Sequence, residues 1–199
     1  MKRKAASKTY QKIGKAKSMK EFPLDRAFTF FEPGPVLLVV TAINGKPNVM
    51  TASCTASLGF TPIIGVSLGP WNHSYHAMMK TGECVLSIPT ADMMEAVVDI
   101  GNCSGKTVDK FKHFGLTPLQ SEKVAAPLIA ESLANVECVV REYPTSNGLY
   151  LFILEGVKAW SNPDRSEKRT FHANGDGTFV IDGETVNLRH KMTRWEDCI

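Results

Sequence analysis

The sequence predicts a mainly β fold, an antiparallel barrel with a few short helices. Three observations carry that prediction. Short apolar, β-branched runs recur along the chain, turn dipeptides such as Asn44-Gly45 and Asp182-Gly183 separate them, and only three stretches have helical character. Strands joined by turns argue against a parallel sheet made of alternating strand–helix–strand units.

In chain order, Pro35 to Ala42 is an uninterrupted apolar strand ending at Asn44-Gly45, a hairpin turn signal, with a return strand from about Asn48. Ile63 to Leu68 is a second buried strand, bounded by Pro62 and Pro70. His73 to Met79 lacks Gly and Pro and has room for one or two helical turns, and Glu83 to Ile88 is a strand. Thr90 to Val98 has the pattern of an amphipathic helix with Thr90 as N-cap and Asp92 in its first turn. Val108 to Phe111 is expected to be a short helix. Strands are expected at Ala134 to Tyr143 and Leu149 to Trp160, divided by Pro144 and Asn147-Gly148. A last hairpin is expected with Phe179 to Ile181 and Glu184 to Val186 as its arms and Asp182-Gly183 as its turn.

The 199 residues suit one domain, and 43% hydrophobic with 22% charged residues is ordinary globular usage. The net charge of +3 is unevenly spread, because eight bases from Lys2 to Lys20 precede the first acid, Glu21. Without those eight, 15 bases face 20 acids, a net charge of −5. The expected organisation is therefore a basic tail, 1–20, and a mildly acidic domain, 21–199. Such a tail suits nucleic acid or anionic lipid, although a solvated arm packed on the body or on a partner subunit is the more economical reading. Five scattered cysteines without a CxxC pair fit a reducing compartment. No apolar run reaches bilayer length, so the expectation is a cytoplasmic protein with no membrane partner.

Chemistry concentrates in three stretches. In Asn48 to Ser57, period-2 alternation would put Thr51, Ser53, Thr55 and Ser57 on one face, a row of hydroxyls suited to phosphate oxygens or the polar edge of a flat heterocycle. Water facing the same hydroxyls is the plainer explanation of that row. Ser67 to Tyr75 runs from a strand end through Gly69-Pro70 to a helix start, where free N–H groups attract anions. Asn72 or Ser74 would serve equally as that helix's cap. His73 and His76 have no third ligand nearby in sequence, so no metal site is expected. Gly101 to Thr107 falls one residue short of a triphosphate-binding loop and follows a helix, the wrong context for it. Its Ser104-Gly105-Lys106 turn still offers donors and one positive charge. Asn174 to Gly177 lacks the later residues of a calcium loop and reads as a turn.

Taken in order, four segments resemble the flavin reductase-like family, its flavoredoxin branch above all. They are PVLLVVTAINGKPNVMTAS (35–53), PIIGVSLGPWNHSY (62–75), KTGECVLSIPT (80–90), and SGKTVDKF (104–111) with GLTPL (115–119). The resemblance extends over Phe31 to Leu119. It implies a split β-barrel homodimer holding FMN non-covalently near the subunit interface. It also implies that Asn48, Met50, Thr51, Ala52, Ser53, Cys54 and Thr55 run along the isoalloxazine ring and ribityl chain, with Ser67 and Leu68 closing one side. His73, Ser74, Ser104, Lys106, Lys110 and Phe111 would lie near the phosphate or the ring. Asn72 stands where relatives often have arginine, so Lys106 or Lys110 would have to supply that charge.

The implied chemistry is hydride or electron transfer through the flavin, with NADH or NADPH or a redox protein as partner. Two versions stay open, a reductase that oxidises a nicotinamide and a flavoredoxin that carries electrons. The alternatives are a non-catalytic split barrel holding flavin or haem, and, with less support, a nucleic-acid-associated protein acting through the lysine tail.

Overall fold

The computed structural model describes residues 19–31, 34–144, 148 and 150–192. Nearly all of the basic tail, Cys198 and Asn147 of the expected Asn147-Gly148 turn lie outside them. The strands and helices are β1 (Lys20–Phe22), β2 (Leu37–Ile43), β3 (Lys46–Ala52), β4 (Thr55–Ser57), β5 (Ile63–Ser67), α1 (His73–Thr81), β6 (Glu83–Ile88), α2 (Met94–Gly101) and α3 (Lys110–Phe114). They continue with β7 (Pro118–Leu119), β8 (Leu128–Ile129), β9 (Ala134–Glu142), β10 (Leu151–Ser161), β11 (Phe171–Ala173) and β12 (Phe179–Ile181). Lys20, assigned to the tail from its charge, already pairs with Ser161 in the sheet.

One eight-stranded antiparallel sheet runs β3-β2-β6-β9-β10-β5-β4, with β1 added on β10. Its two end strands, β3 and β4, are consecutive in the chain and joined only by Ser53 and Cys54. The three steps from Ala52 to Thr55 reach at most about 10–11 Å, so the edges of the sheet must come close together. The sheet therefore closes into a barrel that stays split between β3 and β4, as expected. Gly156 helps to bend it: its register shift lies beside Lys158, and a Cβ there would sit 2.9 Å from Val136 Cγ1 and 3.1 Å from Pro62 Cβ.

Alternation builds two cores from the same strands. Leu37, Val39, Leu86, Val136, Phe152 and Leu154 fill the barrel, together with Met78 of α1. Leu38, Val40, Val49 and Val85 face the other way, under Val97 and Ile100 of α2 and Phe111 and Phe114 of α3. With both faces covered, β2 reads as an unbroken apolar run. Among the described residues no helix is long and apolar enough to cross a membrane.

Three local expectations change. Thr90 takes the N-cap position, but of a 3-10 turn (Ala91–Met93) that leads into α2, and its hydroxyl donates to Asp92, whose carboxylate is held by Arg165, instead of accepting a backbone N–H. The last hairpin pairs β12 with β11 around the Asn174 to Gly177 turn, not with Glu184 to Val186. The reason is Asp182, whose carboxylate accepts the Thr170 N–H (3.0 Å) and bonds His172 (2.8 Å), tying it backward along the chain. α1 is also longer than expected, ending at a left-handed Gly82.

Glu137 organises the outer face. It is fully buried, and its carboxylate accepts N–H bonds from Glu122, Lys123, Val124 and the Trp160 indole at 2.5–3.1 Å. Glu137→Gln removes one acceptor oxygen and turns an amide N–H toward these donors. We expect it to lower unfolding stability by about 2–4 kcal/mol in urea titration. A loss below about 0.5 kcal/mol would show that the carboxylate does not hold this loop.

Candidate functional site

Three segments that are distant in sequence meet at one end of the barrel. They are β3 from Asn48 to Thr51, the turn Trp71-Asn72 with the first turn of α1, and the loop from Ile100 to Gly105 with Lys110 of α3. Together they enclose a cavity of about 200 Å³.

Each segment is shaped by its own sequence. Asn72 Oδ1 accepts the Gly69 N–H at 3.0 Å, which fixes the Gly-Pro turn and sets the direction of α1. Because the Asn72 side chain is used there, no side chain caps α1; the Tyr75 N–H donates to the Asn72 carbonyl at 3.2 Å, and those of His73 and Ser74 are left for another acceptor. Ser74, in that first turn, is buried and accepts the Asn48 amide N–H at 2.9 Å. Asn48 is itself 8% exposed, and its Oδ1 has no partner.

Gly105 closes the cavity wall. A Cβ at that position would lie 2.0 Å from Asn48 Oδ1 and 3.1 Å from His73 Cδ2, so only glycine lets the loop approach β3 and α1 this closely. Lys110 is 4% exposed and spends one N–H on the Ile100 carbonyl at 2.8 Å. Burial lowers its pKa. Burial also lowers the His73 pKa from 6.5, helped by the positive charges of Lys106, His76 and Lys110. No Asp or Glu lines the cavity, so the site is positive and unneutralised.

The structure brings together Asn48, Met50, Thr51, His73, Ser74, Ser104 and Lys110. Lys106 is exposed beside them, close enough to act on His73. The continuous row of hydroxyls does not form, because the chain changes sheet edge at Ser53-Cys54. Thr51 donates to the Val97 carbonyl at 2.5 Å. Thr51 and Ser53 line a neighbouring hollow of about 250 Å³ with Val97 and Phe179, which meets the cavity at Thr51, and Thr55 and Ser57 line another of about 370 Å³ with Phe31 and Phe60. Ala52 and Leu68 are buried in the barrel and Phe111 in the outer core, so their side chains pack rather than face the cavity. Cys54 and Ser67 are exposed where the strands change partners, and the Ser67 N–H donates to the Cys54 carbonyl at 2.9 Å. Gly105, the Ile100 carbonyl and Trp71, 75% exposed at the rim, were not anticipated as site groups. A glycine flanked by Ser and Lys between two helices was the available signal for the first of them.

The donor set consists of helix N–H groups, a buried lysine, an imidazole and serine hydroxyls. That chemistry suits a phosphate monoester.

Known proteins share this arrangement of strands. Residues 31–179 match the family described as "Flavin reductase like domain". An uncharacterized protein of Archaeoglobus fulgidus is 33% identical over 159 residues, covering 76% of this chain and 89% of that protein. The FMN-binding domain of a flavin reductase-like enzyme from Shewanella baltica superimposes with a TM-score of 0.76 at 24% identity, over 85% of this chain and 97% of that one. Flavoredoxin of Desulfovibrio vulgaris gives a TM-score of 0.69 at 25% identity, over 77% and 89%. Because the family match spans residues 31–179, most of the chain, this protein belongs to the flavin reductase-like family.

Proposed function

We propose that this chain binds FMN with its phosphate in the cavity between β3, α1 and the 100–105 loop, and passes reducing equivalents through it as a flavin reductase or a flavoredoxin-type carrier. The observation that carries the reading is the convergence of the α1 N-terminus and Lys110 on a cavity whose wall only Gly105 can complete. FMN, when bound, supplies hydride and electron transfer at its ring.

The protein's part is positional and electrostatic. Lys110 and Lys106 provide the charge that Asn72 lacks. The α1 N–H groups and Ser104 orient the phosphate, and Asn48, held by Ser74, fixes the inner end of the ribityl path. His73, kept neutral at pH 7 by burial and its cationic neighbours, serves as a donor or acceptor rather than a third charge. The ring would extend along Met50 to Thr55, past the barrel seam.

The electron donor is NADH or NADPH, or a redox protein in the carrier version. We infer that the working unit is a homodimer. A reducing, cytoplasmic setting suits the free thiols of Cys54, Cys84, Cys103 and Cys138.

Two measurements test this. Gly105→Ala should displace Asn48 from Ser74 and weaken FMN binding at least about tenfold by flavin fluorescence titration, with circular dichroism unchanged. Unaltered affinity would remove this cavity from the phosphate role. Steady-state oxidation of NADH and NADPH with free FMN separates the versions: sustained turnover identifies a reductase, whereas stoichiometric reduction without turnover identifies a carrier. No reduction from any donor would leave the chain a binding module.

A further inference from the structure

The β11–β12 hairpin walls the hollow of about 250 Å³ beside the seam. Gly175, Gly177, Thr178 and Phe179 line it together with Thr51 and Ser53, and α2 presents Val97 and Val98 to it. The base of the hairpin is anchored: Phe171 is fully buried in the outer core, and its carbonyl accepts the Val36 N–H at 2.9 Å. The next residue, His172, makes a second tie to the chain ahead of β2.

His172 stands between two acceptors. Its Nδ1 lies 3.1 Å from the Gly34 carbonyl and its Nε2 lies 2.8 Å from Asp182 Oδ1. A neutral imidazole has one N–H and donates to one of them, whereas the imidazolium donates to both. Asp182 keeps its charge: against the cost of burial, hydrogen bonds from Thr170 and His172 hold its carboxyl below the ordinary value. The carboxylate is the stronger acceptor, so a neutral ring keeps Asp182 and gives up Gly34. Around the ring, β11 and β12 contribute Phe171, Ala173 and Val180, none of them titratable. Of the charged residues on this stretch, Arg169 pairs with Glu167, Asp176 accepts from Thr178, and Lys168 and Glu184 are exposed. Glu32 lies outside the described residues.

We propose that His172 is a pH-operated latch on this hairpin: protonated, it bridges Gly34 and Asp182 and closes the wall beside Thr51 and Ser53; deprotonated, it releases Gly34 and frees the hairpin tip. The hold is present at low pH and is lost as pH rises through the range in which histidine discharges. Asp182 lies beyond residue 179, where the family match ends, so half of the latch is outside the matched region. The consequence for flavin rests on the FMN reading above. A closed wall retains the ring along the seam, so FMN leaves more slowly when His172 is charged.

The test follows the hairpin in flavin-free protein by 15N relaxation between about pH 5.5 and pH 8. In the wild type the amides of 174–178 should be rigid at the acid end and loosen at the basic end. His172→Gln, uncharged throughout, should show no such transition, and Asp182→Asn should move it to lower pH by removing the charge that favours the imidazolium. FMN release is then timed by stopped-flow fluorescence at both ends of the range. The basic-to-acid ratio of release rates should be at least about threefold larger in the wild type than in His172→Gln, in which the phosphate of FMN titrates equally. A wild-type hairpin with unchanged relaxation, or a transition that survives in His172→Gln, would overturn the latch. Equal release ratios would overturn its hold on flavin. If the hairpin titrates as expected while FMN binds at neither pH, the latch stands and the FMN reading fails.

Discussion

The rest of the structure depends on how the barrel closes. After Ala52 the chain leaves one edge of the sheet, and at Thr55 it enters the opposite edge, with Ser53 and Cys54 as the whole connection. That link is possible only if the intervening strands curl until the edges adjoin, and it leaves a seam where β3 has one strand partner instead of two. Polar backbone and small side chains at a seam are open to a ligand in a way that central strands such as β6 and β9 are not. The same closure sets the inner end of β3 beneath α1, so Asn48 meets Ser74, 26 residues later in the chain.

Closure also has an electrostatic consequence. A positive cavity without a facing carboxylate costs stability through mutual repulsion and desolvation, and the depressed pKa values of Lys110 and His73 record that cost. The cost is offset when an anion arrives. Asn72 is part of this arrangement: it is spent on the Gly69 N–H, so charge comes from α3 and its approach loop rather than from the turn before α1. The outer face solves the opposite problem with the same physics, where the buried Glu137 carboxylate takes three backbone N–H bonds from the loop at 122–124 and anchors the far side of the sheet.

The barrel was legible because its strands alternate toward two cores, which leaves continuous apolar runs such as Leu37 to Val40 bounded by turn residues. The site was legible in its segments and less so in its side chains. Asn48, His73, Ser74, Ser104 and Lys110 converge, whereas the row from Thr51 to Ser57 is broken, because periodicity assumes one strand and cannot register a change of sheet edge at Ser53-Cys54. Phe111 was placed by its motif near the ligand, yet its position on α3 turns it into the outer core. Gly105 was invisible as a site residue for a different reason: its role is to lack a side chain where Asn48 and His73 need the space. The final hairpin failed because Asp182 looks like a turn residue but acts through its carboxylate on Thr170 and His172.

The most direct test of the account is to map backbone amide chemical shifts while FMN is added to the protein. Perturbations should gather on residues 48–51, 73–74 and 104–106 and leave 122–124, the loop held by Glu137, where it was. Shifts absent at saturating FMN, or confined to the hollow around Thr55 and Phe60, would contradict it.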